Sequence, residues 1–207
     1  MIDQQKNDNI INLKIIIVGD AGTGKTSIIT RYAKEKFEPN SVATISPLYH
    51  PKVLKVNGNN YQFNIWDIPG QDKNAIMNRS FAQDAKGIIY CCVVNNVNSR
   101  ESLKSWEESI NSYTDTKTIP KIIVENKCDL LGDEIHYNDD INLLEKTSEV
   151  LGCFKCFRVS ALNGYNVNEA FQTLINEIIK NAKIKGLEKI DTIKLKKKQG
   201  KNHSKCC

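Results

Sequence analysis

A nearly unbroken apolar, β-branched run, Leu13 to Val18, ends at Gly19-Asp20-Ala21-Gly22-Thr23-Gly24-Lys25-Thr26. A run with apolar residues at successive positions suits a strand covered on both faces, as in a parallel sheet, better than a strand with one wet face. The glycines let the backbone curl so that successive N–H groups converge on one point. A helix predicted from Thr26 to Lys36 adds the positive end of its dipole at the same place. The pattern G-x-x-x-x-G-K-[ST], set between a strand and a helix, is therefore a cradle for phosphate. Asp20, Ala21, Gly22, Thr23, Gly24, Lys25, Thr26 and Ser27 are its candidate residues, with Lys25 reaching β- and γ-phosphates and Thr26 offering its hydroxyl to Mg²⁺.

Further along, Leu48 to Val56 and Tyr61 to Trp66 flank Asn57-Gly58-Asn59-Asn60, and Asn-Gly between two strands predicts a hairpin. A short helix is predicted from Asp72 to Asp84, a buried strand from Gly87 to Val94 and a helix from Ser99 to Tyr113. Then follow a strand (Lys121 to Glu125), a helix (Asp139 to Leu151), a strand (Phe154 to Val159) and a long helix (Asn166 to about Lys183). Strands alternating with helices imply an α/β, mostly parallel, six-stranded doubly wound sheet with helices on both faces, the hairpin contributing one antiparallel pair.

A phosphate cradle does not choose between purines. Asn126-Lys127-Cys128-Asp129 follows directly on the Lys121–Glu125 strand and does choose. A carboxylate in line with the guanine N1–H and 2-amino donors selects guanine, because adenine lacks that pair and leaves the carboxylate unsatisfied, at a cost of about 1–3 kcal/mol.

With these motifs in order, residues Leu13 to Lys180 resemble the Ras superfamily of GTPases, and within it the Rab family. The resemblance implies a three-layer P-loop GTPase fold spanning residues 13–184. It places Phe37, twelve residues after Lys25, against the guanine ring, and Thr44, nineteen after Lys25, on Mg²⁺ and the γ-phosphate as part of a first switch, Glu38 to Tyr49. Trp66-Asp67-Ile68-Pro69-Gly70-Gln71 is similar to the start of the second switch, which extends to about Gln83. There Asp67 holds Mg²⁺ through water, the Gly70 N–H meets the γ-phosphate, and Gln71 is the catalytic residue that orients the attacking water. Asn126, Lys127 and Asp129, with Ser160-Ala161-Leu162, complete the guanine site. Thr26, Thr44 and Asp67 form the metal set. The implied activity is slow hydrolysis of GTP to GDP and phosphate, quickened by an activating protein. Exchange factors and effectors are implied to read the two switches.

The chain also departs from the family pattern. Ser46 stands where the family has glycine, Pro69 where alanine is usual, Asp72 in place of glutamate, Lys73-Asn74 in place of Arg-Phe, and Leu162 in place of lysine. Proline at 69 removes one backbone donor and fixes φ, but spares the N–H of Gly70. A stiffer second switch is expected.

The net charge of +5 is concentrated in a tail: nine lysines against Glu188 and Asp191 give Lys183 to Lys205 a charge of +7. Residues 185–207 are expected to be disordered, and residues 1–12, which lack a signal peptide's basic start and apolar stretch, a flexible N-terminus. Cys206-Cys207 at the end of the sequence resembles the Rab signal for two geranylgeranyl groups, since one lipid chain anchors only marginally and two anchor stably. The resemblance then implies a prenyl escort, a lipid-extracting carrier, and residence on the cytoplasmic face of endomembranes with a soluble cytosolic pool. No nucleic-acid partner is expected. Seven scattered cysteines do not make a disulfide framework. Cys153-x-x-Cys156 has half the ligands of a zinc site and is read as buried thiols flanking a strand. Two alternatives remain open at this point: a GTP-binding scaffold with little hydrolysis, and a P-loop kinase or ATPase, which Asp129 argues against.

Overall fold

The computed structural model describes residues 10–39, 42–71, 81–131 and 137–184. Residues 1–9 of the expected flexible start, most of the helix expected over Asp72–Asp84, and the tail with Cys206 and Cys207 lie outside the described residues. Six strands run in the order β2-β3-β1-β4-β5-β6. They are β1 (Ile10–Val18), β2 (Leu48–Val56), β3 (Asn59–Asp67), β4 (Gly87–Val93), β5 (Lys121–Asn126) and β6 (Lys155–Arg158). All neighbouring pairs are parallel except β2 with β3. The helices are α1 (Lys25–Lys34), α2 (Val97–Glu101), α3 (Leu103–Asn111), α4 (Tyr137–Val150) and α5 (Val167–Ile184).

The period of two in β1 divides the interior into two halves. Ile15 and Ile17 face a core completed by Ile28, Ile29 and Tyr32 of α1 and Phe171, Leu174 and Ile178 of α5. Ile16 and Val18 face the other core, with Leu103, Trp106 and Ile110 of α3 and Leu144 of α4. β4 and β5 are buried at every position, which is why they read as continuous runs. Edge strand β2 alternates between exposed and half-buried residues. Tyr32 and Phe171 stack at 4.0 Å and 7°, joining α1 to α5, a pairing worth about 0.5–1.5 kcal/mol beyond its buried area.

Several boundaries differ from expectation. Ile10 to Asn12, placed in the flexible start, pair with Asn60 to Gln62 and form the first rungs of β1. The hairpin turn is Asn57-Gly58 alone, both at positive φ (51° and 84°), with Asn59 and Asn60 already in β3; two left-handed residues match the twist of the strands they join. The helix expected from Ser99 to Tyr113 is divided at Ser102 into α2 and α3 and starts earlier, at Val97, where Asn96 Oδ1 accepts from Ser99 N. At the division Ser102 Oγ donates back to Ser99 O at 3.1 Å, while Ser102 N keeps its bond to Asn98 O at 3.0 Å. Cys156 lies within β6, not beside it, and Cys153 and Cys156 are only partly buried. Among the described residues there is no cluster of metal-ligating side chains of the His, Cys, Asp and Glu type. No described helix is long and apolar enough to cross a membrane.

Candidate functional site

The C-terminal ends of β1, β3, β4 and β5 converge on one edge of the sheet, where each strand hands over to a loop. There a cleft of about 400 Å³ is lined by residues 21–22, 24–27, 37–39, 42–44, 70–71, 126–127, 129–130 and 161–162. Chain segments as distant as Ala21 and Leu162 thus share one cavity.

The phosphate loop closes over Lys25. Its Nζ donates to Gly19 O at 2.8 Å and to Asp20 O at 3.0 Å, so the ammonium is held beneath the loop. Burial pushes Lys25 below the ordinary lysine value, with Cys91, Asp67 and Asp20 opposing that shift; a phosphate anion in the cleft would favour the charged form further. α1 begins at Gly24 without a side-chain cap, and its first turn holds no acid. The positive end of its dipole is left uncompensated toward the cleft. Gly24 has φ +85°, and a Cβ there would sit 2.3 Å from Asn126 Nδ2. Two constraints, conformation and space, demand glycine at this position.

At the opposite wall, Thr26 Oγ1 donates to Asp67 Oδ2 at 2.5 Å, Thr44 Oγ1 to the same oxygen at 3.1 Å, and the two hydroxyls are 2.8 Å apart. Asp67 is fully buried, and its Oδ1 has no hydrogen-bond partner among the described residues. Three hard oxygens within contact of one another, with a spare buried carboxylate oxygen behind them, have the chemistry of a Mg²⁺ site. Gly70 packs against the phosphate loop: Ala21 N donates to Gly70 O at 3.2 Å, and a Cβ on Gly70 would lie 2.4 Å from Ala21 N. Gln71 follows, exposed at the rim of the cleft.

At the third wall, the amide of Asn126 joins two loops. Its Nδ2 donates to Thr23 O at 2.9 Å and its Oδ1 accepts from Ala161 N at 3.2 Å. Lys127 is left-handed at φ 63° and turns the chain so that Asp129 returns toward Ser160. Ser160 Oγ donates to Asp129 Oδ1 at 2.5 Å. Phe37 packs at the edge of the first core and lines the cleft, and Leu162 is half exposed beside it.

Of the residues singled out from the sequence, Ala21, Gly22, Gly24, Lys25, Thr26, Ser27, Phe37, Thr44, Gly70, Gln71, Asn126, Lys127, Asp129, Ala161 and Leu162 line the cleft. Asp20, Thr23, Asp67 and Ser160 do not line it; they hold the lining residues from behind. Two contributors were missed. Arg31 of α1 donates through Nε to Ala161 O at 2.8 Å and through Nη2 to Leu162 O at 2.5 Å, yet in the sequence it is one more polar residue on a helix. Trp106 Nε1 donates to Asp20 Oδ1 at 2.9 Å. Its spacing with Leu103 and Ile110 reads as core, and the only signal was that a buried indole N–H must find an acceptor.

A phosphate loop after the first strand, a carboxylate turn after the fifth and a Thr–Thr–Asp oxygen set between them define a small GTPase. The chain belongs to the Ras family, whose family model matches residues 14–180. It is similar to the Ras-related protein Rab-32C of Dictyostelium discoideum, 32% identical over 174 residues that cover 84% of this chain and 76% of that one. It is also similar to the Ras-related protein RABA5c of Arabidopsis thaliana, 30% identical over 187 residues (90% and 85%), and to the Ras-related protein Rab-18 of Lymnaea stagnalis, 28% identical over 175 residues (84% of each). The protein is thus a Rab-type small GTPase of vesicle traffic that binds GTP or GDP with Mg²⁺ and hydrolyses GTP. As a member of that family it works with exchange factors, activating proteins and effectors.

Proposed function

We propose that this protein is a GTP-dependent switch whose two states differ at Thr44 and Gly70, and that its chemistry is divided among the walls of the cleft as follows. Backbone N–H groups of Asp20 to Ser27 and the ammonium of Lys25 hold the phosphates. Thr26, Thr44 and Asp67 hold Mg²⁺, Asp67 through water. An ion held there would supply positive charge against the nucleotide's phosphates. Asp129 reads the guanine N1–H and 2-amino group, Asn126 and Lys127 support the loop around the base, Ser160 and Ala161 close it, and Phe37 and Leu162 cover its faces. The Gly70 N–H donates to the γ-phosphate and Gln71 orients the attacking water. Loss of the γ-phosphate removes a partner of both Thr44 and Gly70, and with it the restraint on the segments that follow each of them.

The observation that carries this reading is the meeting of Thr26, at the start of α1, and Thr44, in the loop before β2, on a single oxygen of the buried Asp67 carboxylate at the end of β3. Single-turnover hydrolysis of bound GTP, in wild type and in Gln71→Leu, tests it. Wild type is expected to hydrolyse slowly and the variant at least tenfold more slowly, with GTP affinity retained. Equal rates in both, also with activating proteins present, would leave a GTP-binding scaffold in place of a switch.

For the tail, the reading is that Cys206 and Cys207 carry geranylgeranyl groups, delivered by an escort protein and shielded by a lipid-extracting carrier in the cytosol. The lysines before them add attraction to the anionic cytoplasmic leaflet, about 1 kcal/mol each. Replacing both cysteines by serine is expected to release the protein from membrane fractions; unchanged membrane association would reject the assignment.

A further inference from the structure

Glu125, the penultimate residue of β5, has no exposure at all. A carboxylate in such a place is tolerated only if cations reach it, and two do. Arg100 of α2 brings Nη2 within 2.6 Å of Oε1, and Arg158 of β6 brings Nε within 2.9 Å of Oε2. Both arginines are 4% exposed. The cluster holds two cations against one anion, and the Nε and Nη1 of Arg100 are buried with no hydrogen-bond partner among the described residues. An apolar cluster of the same volume is often the more stable alternative to buried ions, so the advantage of this one lies in where it holds the chain.

Its location supplies that advantage. Glu125 and Arg158 are direct partners across the β5–β6 ladder. Val159 N donates to Glu125 O at 2.9 Å and Cys128 N to Val159 O at 3.1 Å. Immediately beyond, the two strands diverge into the segments that carry Asn126 and Asp129 on one side and Ser160 to Leu162 on the other. α2 is fixed in turn to the end of β4, where Val93 N donates to Ser99 Oγ at 3.1 Å. The carboxylate therefore ties the ends of three strands together one residue before the Asn126 amide and two before Ser160.

We propose that Glu125, clasped by Arg100 and Arg158, is a positioning residue for guanine recognition: it sets the spacing of the β5 and β6 ends so that Asp129 and the Ser160–Leu162 segment meet one base. This rests on the assignment of the base site given above. Without the charge, the two loops lose their common anchor, and the directional bonds to the N1–H and 2-amino group weaken more than the phosphate contacts at the far side of the cleft.

The test uses the full chain loaded with fluorescent GDP or fluorescent inosine diphosphate, whose base lacks the 2-amino group. Wild type is expected to release the inosine nucleotide about tenfold faster. In Glu125→Gln, GDP release is expected to quicken by about tenfold and inosine diphosphate release by less, so that their ratio narrows by about threefold or more. Glu125→Asp, which keeps the charge, recovers part of that ratio. Equal acceleration of both nucleotides overturns the proposal, because a cluster that only stabilises the fold moves both alike; release at wild-type rates overturns it too. If Glu125→Gln is recovered unfolded, the ratio in Glu125→Asp decides by the same criterion. A wild type that fails to distinguish the two nucleotides overturns the base assignment itself, and the positioning role with it.

Discussion

The indole Nε1 of Trp106 donates a hydrogen bond to Oδ1 of Asp20 across 2.9 Å, linking the centre of α3 to the second residue of the phosphate loop. Trp106 is fully buried, so its one polar atom spends its hydrogen bond on the loop that opens the cleft. The loop is thereby braced from the second core, on the side of the sheet opposite α1. In Trp106→Phe the ring volume is largely kept and the donor is lost, leaving the Asp20 carboxylate one partner short. We expect a stability loss of about 1–3 kcal/mol in urea titrations and faster release of GDP, measured by nucleotide exchange.

Gly24 is the position where the phosphate loop tolerates least. In Gly24→Ala the new methyl meets Asn126 Nδ2 at 2.3 Å, and a left-handed φ of +85° adds backbone strain. The Asn126–Thr23 bond cannot survive this intrusion. GDP affinity is expected to fall by at least about tenfold, equivalent to about 1.4 kcal/mol, measured by equilibrium titration against the wild-type chain.

Asp129 is turned toward the cleft with Ser160 bonded to one of its oxygens. In Asp129→Asn a donor replaces one acceptor facing the base, so the amide opposes the guanine 2-amino group. Affinity for GDP is expected to fall by at least about tenfold while xanthosine diphosphate, with an oxygen at that position, binds better than it does to wild type. Competition between the two nucleotides for the variant measures this directly.

Alkaline pH should loosen the core beneath the site. Burial pushes the Cys91 thiol up to about 11 and the Tyr32 phenol up to about 12. Between the unfolded values, near pH 9 for the thiol and 10 for the phenol, and these folded ones, these two groups hold more protons in the folded chain than in the unfolded chain. Stability is therefore complete below about pH 9 and falls as pH rises toward 12. Urea midpoints at pH 8 and pH 10 should show the decline. Cys91→Ala should start about 1 kcal/mol lower, from the lost packing, but fall less steeply over the same interval.

The sequence alone carried the alternation of strands and helices, the phosphate loop and the Asn126–Asp129 turn, because each rests on local chemistry: β-branched runs, glycines at fixed offsets, a carboxylate directly after a buried strand. Thr44 and Asp67 were pointed to only by the resemblance to the Ras superfamily. What it did not carry is which distant groups meet. The predicted helix is divided at Ser102, a boundary that hydrophobic period does not reveal. Arg31 clasps Ala161 and Leu162, and Trp106 braces Asp20, across 130, 131 and 86 residues of chain. In the sequence Glu125 is only the last residue of a predicted buried strand. Such pairings are decided by the crossing of strands and helices in three dimensions: a buried polar group must find a partner, and only the tertiary structure determines which one is within reach.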